Sequence, residues 1–458
     1  MDSNLSQVKR PIGNWHLLSM VIGSMIGTGI FLFASPVCAY LLEPWAIICS
    51  WAIGSAIALS GAYCLAELCS FCPHPGGIYD YLRMTFGSGL SFMYAWAKFL
   101  VMGVGCLSIA ALASAKFLIQ VFDLPADAAD EVVKPVALGM VCFITLMNIL
   151  GPQKKRAFFQ SSLTIPKIIC LTVIILLGFF YFFHLDELEP AFLSPQLEVS
   201  QFQNPSLFAF LSALVPILWA FGGWEDIAFL FIEKKVPKKN SVSALKVGVL
   251  VVSILYLLIN ISYLLILTPL EIASAGSSAL LLVNKTLGQL PGSVVSFFLM
   301  VVGLGVVDGA ILSGARVPFI AGTHNLVFKW FCNMHPQTKT PQRALIMQGV
   351  FAIIVLYLSD DMISLLLWTS MPYWGFLFFL GPCVLILRGK HEAEVRPNQK
   401  NILRNIPAIF FTCASFFLFC FTVLKGFKVA LPTVVLLLLG MVVFIVQRHI
   451  TSLRSVEL

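Results

Sequence analysis

Apolar residues in this chain come in long runs separated by short polar stretches. There is neither the alternation of a half-buried strand nor the one-sided stripe of a surface helix. A hydrocarbon layer of ~30 Å takes roughly 20 apolar residues in helical form. Twelve runs predict membrane spans, at 14–40, 44–70, 89–121, 132–150, 160–183, 206–232, 243–267, 292–320, 344–358, 362–387, 405–424 and 429–447. The expected fold class is therefore all-α and polytopic.

Two of these runs are irregular. The first contains Ile22-Gly23-Ser24-Met25-Ile26-Gly27-Thr28-Gly29-Ile30-Phe31, three glycines within seven residues, with a serine and a threonine between them. Each interior glycine costs about 1 kcal/mol relative to alanine in a helix. Bare backbone at membrane depth is tolerated only where protein buries it or where it lines a cavity. One reading is a helix broken at mid-depth, offering a carbonyl end and an N–H end to a ligand. The other is a close-packing face, Gly23-x-x-x-Gly27. The residues of this stretch alone leave both open.

The sixth run repeats the irregularity in Leu218-Trp219-Ala220-Phe221-Gly222-Gly223-Trp224-Glu225-Asp226, with paired glycines beside two acids. Interrupted helices at corresponding positions of two halves point to a transporter's central site. The first run would cross from inside to outside and the sixth from outside to inside, so the repeat is expected to be inverted. Residues 14–185 and 206–390 would form the two repeats of a transport core spanning 14–390. A tail at 1–13 precedes it, and 391–458 carries the last two spans and a second tail.

Composition excludes a soluble domain: 59% of the 458 residues are hydrophobic, 11% are charged, and the mean hydropathy is +0.92. The polar start through Lys9-Arg10 leads into a run too long for a signal-peptide core, so no cleaved leader is expected. The net charge of +7 reports topology rather than a nucleic-acid partner. With the N-terminus inside, 22 of the 29 Lys/Arg fall in inner loops or tails or at the inner ends of runs (Lys246, Arg316). Four fall in outer loops or at an outer end (Lys134, Lys285, Lys425, Lys428) and three deeper within spans (Lys98, Lys116, Lys167). The positive-inside rule then puts both termini in the cytoplasm.

Other polar groups at depth are candidates for chemistry. Lys167, beside Pro166, lies about two turns into the fifth run and either faces a cavity or snorkels to the inner surface. Lys98 and Lys116, toward the two ends of the third run, are expected to snorkel. Asp308 is a membrane acid in the eighth run, and Arg316, two turns on, is expected at lipid headgroups. Trp368-Thr369-Ser370 in the tenth run suits packing. Cys69-x-x-Cys72 has the spacing of a metal or redox pair, but no second pair completes a four-ligand site. Neither a metal nor another cofactor is expected.

Several motifs together resemble those of the amino acid–polyamine–organocation superfamily of permeases and exchangers. Gly23-Ser-Met-Ile-Gly-Thr-Gly-Ile-Phe31 resembles its first-helix signature. Ala66-Glu67, Pro75-Gly76-Gly77-x-Tyr79-x-Tyr81-Leu82 and Phe86-Gly87 resemble the second helix and the loop after it. Phe221-Gly-Gly-Trp224 and Glu233-x-x-x-Pro237-Lys-Lys-Asn240 resemble the sixth. The resemblance covers spans 1–10 and implies a LeuT-type five-plus-five inverted repeat working by alternating access.

The resemblance also implies a substrate site between helices 1 and 6. Ser24, Met25, Ile26, Gly27, Thr28, Gly29, Trp219, Phe221, Gly222 and Trp224 would form it. The carboxylate would meet N–H groups around Gly27, Thr28 and Gly29, the ammonium would meet carbonyls near Met25, Trp219 and Gly222, and Trp219 would act as a lid. Lys167 falls where sodium-independent members carry a lysine in place of sodium. Lys167, Glu225 and Asp308 are the candidates for proton coupling and gating. Glu225 resembles the glutamate of bacterial arginine/agmatine antiporters, yet Ala310 stands where those antiporters have tryptophan.

The expected function is secondary transport of an amino acid or related amine across a cytoplasmic membrane, bacterial by this resemblance, as proton-coupled symport or exchange. A cationic amino acid/amine antiporter is one alternative, and a non-transporting amino acid sensor is another. An enzyme is not expected: the chain has neither the G-x-x-x-x-G-K-[ST] phosphate loop nor an H-E-x-x-H metal motif.

Overall fold

The structure is a computed structural model. It describes residues 14–71, 76–122, 124, 126–151, 164–184, 206–227, 238–324, 330, 335, 340–359, 361–395 and 402–456. Among the described residues every regular element is helical. Nine helices among the described residues are long and apolar enough to cross a membrane. They answer to nine of the twelve runs, while the first, sixth and ninth are met by broken or shorter helices.

The first run is three pieces, Asn14–Met25, Gly29–Leu32 and Ala34–Tyr40, separated by non-helical backbone at Ile26–Thr28 and by Phe33. The sixth is Leu207–Ala220, a turn at Phe221–Gly223, and a short helix Trp224–Asp226. Gly223 holds this turn at φ 106°, a conformation that strains any residue with a Cβ. A Cβ there would also lie 2.4 Å from the Ser24 carbonyl oxygen. The ninth is Gln342–Leu358, and the tenth divides into Met362–Leu377 and Leu380–Val395.

The two broken segments lie inside a frame of longer helices. Ser88–Val121, continuous but with a π-helical turn at Lys98–Met102, packs along Gln289–Thr323. Pro44–Phe71 packs along Lys238–Ile266. Small residues allow close approach: a Cβ on Gly303 would collide with Ser114 across the first of these pairs, and one on Gly54 with Ile217 of the broken sixth segment. Two short helices, Pro269–Ser274 and Ser278–Leu287, cover one end of the first segment. Thr268 and Glu271 close a capping box there. Ser277 Oγ donates to the Phe31 carbonyl at 3.0 Å, and the Ser35 and Ser278 hydroxyls are 3.2 Å apart.

Some expectations fall outside the described residues: the tail at 1–13, Cys72 and the loop through Pro75, and Glu233 through Pro237. Cys69 is buried and accepts a hydrogen bond from Tyr81 Oη at 3.5 Å.

Candidate functional site

Where the two breaks face each other there is a cavity of about 310 Å³. Its walls come from both broken segments and from the third, fifth, eighth and tenth spans. Of the residues singled out in the sequence, Ser24, Met25, Gly27, Gly29, Trp219, Gly222, Lys167 and Glu225 line it. Ile26, Thr28, Phe221, Trp224 and Asp308 do not. Phe221 packs in tilted contacts with Trp51 and Tyr256, and Trp224 meets the Phe411 ring edge-on. Asp308 is turned toward the fourth span, where Asn148 Nδ2 donates to its carboxylate at 2.6 Å.

The backbone of the first break is under-bonded. Gly27, Thr28 and Gly29 make no N–H to carbonyl hydrogen bond among the described residues, whereas Ile26 N–H still reaches Ile22 O at 2.9 Å. The Thr28 hydroxyl is buried and has no hydrogen-bond partner among the described residues. A glycine on either side of Thr28 leaves this backbone bare toward the cavity, so an anionic group can come within hydrogen-bond distance. The breaks also touch: a Cβ on Gly29 would lie 3.1 Å from Ala220 Cα. This contact is at Gly29, outside the Gly23-x-x-x-Gly27 face; a Cβ on Gly27 would meet the Val306 side chain at 3.2 Å.

The carbonyl ends are held by side chains from the frame. Lys167 is 6% exposed, and its Nζ donates to the Gly23 carbonyl at 3.1 Å. It faces the cavity rather than snorkelling. Tyr256 Oη stands 3.0 Å from the Met25 carbonyl oxygen and 3.1 Å from that of Ala220, joining the last turns of both half-helices. Trp219 O accepts from Gly222 N–H at 3.0 Å. Each such carbonyl keeps a second lone pair. At one end of the cavity the Phe33 and Trp219 rings meet edge-to-face, 5.1 Å between centroids.

The opposite wall is charged. Glu225 is 5% exposed, and its Oε2 accepts the Gly223 N–H at 2.9 Å, so this carboxylate caps the break it belongs to. Lys98 forms a 3.0 Å ion pair with Asp226. This corrects the expectation that Lys98 snorkels: it lies ten residues past Ser88, at the depth that made Lys167 conspicuous, and the same depth could have identified it. Lys116 is exposed, as a snorkelling lysine would be. Arg316 lines the cavity instead of standing only at the headgroups, and so do Thr369, Ser370 and Tyr373. Gly305, Gly309 and Ala310 keep the eighth-span wall of the cavity thin. Tyr256 carried no sequence signal, because an isolated tyrosine in an apolar run looks like packing.

Comparison with known proteins identifies the family. A family model described as amino acid permease matches residues 12–446. The chain is 26% identical over 399 residues to b(0,+)-type amino acid transporter 1 of Mus musculus, covering 86% of this chain and 79% of that one. It is 27% identical over 401 residues to the serine/threonine exchanger SteT of Bacillus subtilis, covering 86% and 87%. Over 447 residues it is 24% identical to Asc-type amino acid transporter 1 of Mus musculus, covering 95% and 81%.

Proposed function

The chain belongs to the amino acid permease family, and on that premise we propose that it carries an amino acid across a cytoplasmic membrane by alternating access. The observation that carries this reading is the stretch Gly27–Gly29, whose N–H groups reach no carbonyl among the described residues and whose two glycines line a cavity also edged by carbonyl ends. A zwitterion needs such a pair of opposite partial charges, one for each of its groups. The substrate carboxylate sits on Gly27, Thr28 and Gly29. Its ammonium sits near the Met25, Trp219 and Gly222 carbonyls, and Trp219 against Phe33 closes one side.

Exchange of one amino acid for another is the leading mode, supported by the relative named a serine/threonine exchanger. Lys167 takes the place of a sodium ion, its ammonium already on the Gly23 carbonyl. Proton-coupled symport is the second mode, with Glu225 as the proton carrier. An acid on the cavity wall also favours a further substrate reading, a cationic amino acid or amine held by Glu225. The thin eighth-span wall at Ala310 weighs against the arginine/agmatine type.

The architecture we propose has twelve spans, a five-plus-five inverted repeat and both termini in the cytoplasm of a bacterium. One backbone detail supports the repeat. Gly87 (φ 90°, ψ −177°) joins helix Ile78–Phe86 to the third span, and Gly288 (φ 92°, ψ 179°) joins helix Ser278–Leu287 to the eighth. The same hinge thus precedes the third helix of each half.

Reconstitution in liposomes with a panel of labelled amino acids tests the function. Uptake is measured with and without internal substrate, and with and without a pH gradient. Uptake that needs internal substrate supports exchange, and uptake driven by the gradient supports symport. No uptake of any amino acid under either condition, with binding retained, would leave the sensor reading in its place.

A further inference from the structure

A second recess, of about 360 Å³, lies between the second, seventh, tenth and eleventh spans, at the face that the Lys/Arg asymmetry assigns to the cytoplasm. Its charged side chains are Glu67, Lys246, Arg388 and Arg404, three cations to one acid. Glu67 is already engaged. Arg388 grips it bidentately, Nε at 2.8 Å and Nη2 at 2.6 Å, and Arg404 Nη2 lies 2.9 Å from its Oε1. The remaining Arg388 nitrogen reaches Asn405 Oδ1 at 2.5 Å and the Arg404 carbonyl at 3.2 Å. Arg388 is thereby a fixed structural cation. The Lys246 ammonium sits 4.0 Å over the Tyr63 ring and within salt-bridge distance of no carboxylate among the described residues. The Arg404 side chain is 55% exposed. The recess therefore holds two more positive charges than negative ones.

We propose that this recess binds the phosphate of an anionic glycerophospholipid, with Lys246 and Arg404 as its charged contacts and Arg388–Glu67 as the rigid floor. Basic pockets between membrane helices on the cytoplasmic side suit such headgroups. The surroundings select a lipid rather than a free anion. Leu403, which lines the recess beside Arg404, is 72% exposed, and Ile406 and Ile409 further along the same span are 54% and 51% exposed, so apolar surface for acyl chains continues from the recess along the eleventh span. The site also gives the eleventh span a task, since Arg404 and Asn405 at its start are tied through Arg388 and Glu67 to the second and tenth spans. A lipid seated there reinforces the same junction.

Native mass spectrometry of the purified protein, titrated with phosphatidylglycerol or phosphatidylcholine, tests the site. Phosphatidylglycerol should be retained preferentially. Lys246→Gln and Arg404→Gln should each weaken its retention about fivefold, and the double variant roughly thirtyfold, from the worth of one basic side chain at a lipid surface. Lys246→Arg and Arg404→Lys, which keep the charge, should retain it and serve where the double variant does not fold. Equal retention of both lipids, or an unchanged double variant, would overturn the proposal. In a parallel titration, inorganic phosphate should displace the lipid only weakly; full displacement at equal concentration would make this a free-anion site and refute the lipid assignment.

Discussion

Lys98 Nζ and Asp226 Oδ1 stand 3.0 Å apart, tying the π-helical turn of the third span to the short helix beyond the break in the sixth. A π-helical turn commonly marks a functional position, and here it sits at the lysine facing the break. Removing one partner of a buried ion pair costs about 3–5 kcal/mol, because the other charge is left uncompensated. Asp226 keeps 24% of its side-chain exposure, which places this pair at the low end of that range. Lys98→Met should lower thermal stability in detergent, and Lys98→Met combined with Asp226→Leu should recover much of the loss. Strictly additive losses in the double variant would mean that the pair is not coupled.

Gly29→Val should abolish substrate binding while the protein still inserts. The added Cβ would lie 3.1 Å from Ala220 Cα and 3.2 Å from Phe33 Cδ2, so the two broken segments would separate. Gly27→Ala is milder, meeting only the Val306 side chain at 3.2 Å, and should weaken binding without disturbing the fold. Gly139→Ala, with nothing within 4 Å of the new carbon, is the neutral control. Full affinity for labelled amino acid in Gly29→Val would reduce this stretch to packing alone.

Lys167→Ala should lose most transport, since the Gly23 carbonyl loses the ammonium that meets it. Native transport should proceed unchanged when sodium is replaced by choline. Strict sodium dependence of the unmodified protein would contradict the role given to this lysine.

Glu225→Gln separates the uses of that acid. A glutamine oxygen can still accept the Gly223 N–H, so the break should keep its shape while the charge disappears. Selective loss of binding for arginine, lysine or polyamines would identify the carboxylate as a partner for cationic substrates. Retained binding with a flattened pH profile would identify it as the proton carrier. Native affinity and native pH dependence together would assign it a structural role only.

Tyr256→Phe removes the one hydroxyl that meets the Met25 and Ala220 carbonyls. A lost hydrogen bond of this kind is worth about 1 kcal/mol. The variant should remain folded and bind substrate several-fold more weakly, as read by ligand-induced thermal shift. An unchanged shift would show that the two breaks hold their spacing without it.

The sequence by itself determined the all-helical membrane character, the approximate limits of the spans and the two breaks. Those features rest on local physics: apolar length must match a bilayer, and clustered glycines cannot sustain a lipid-facing helix. It also singled out Lys167 by its depth. Which side chains meet was decided only by tertiary structure. Each residue turns a helix face by about 100°, so depth says nothing of direction until helix rotation is set by packing. Asp308 therefore points to Asn148 on the fourth span, while Lys98, at a similar depth to Lys167, meets Asp226 from a distant part of the chain. Thr28, between two cavity-lining glycines in the non-helical break, is buried off the cavity, and Tyr256 bridges both breaks because the seventh span packs behind them.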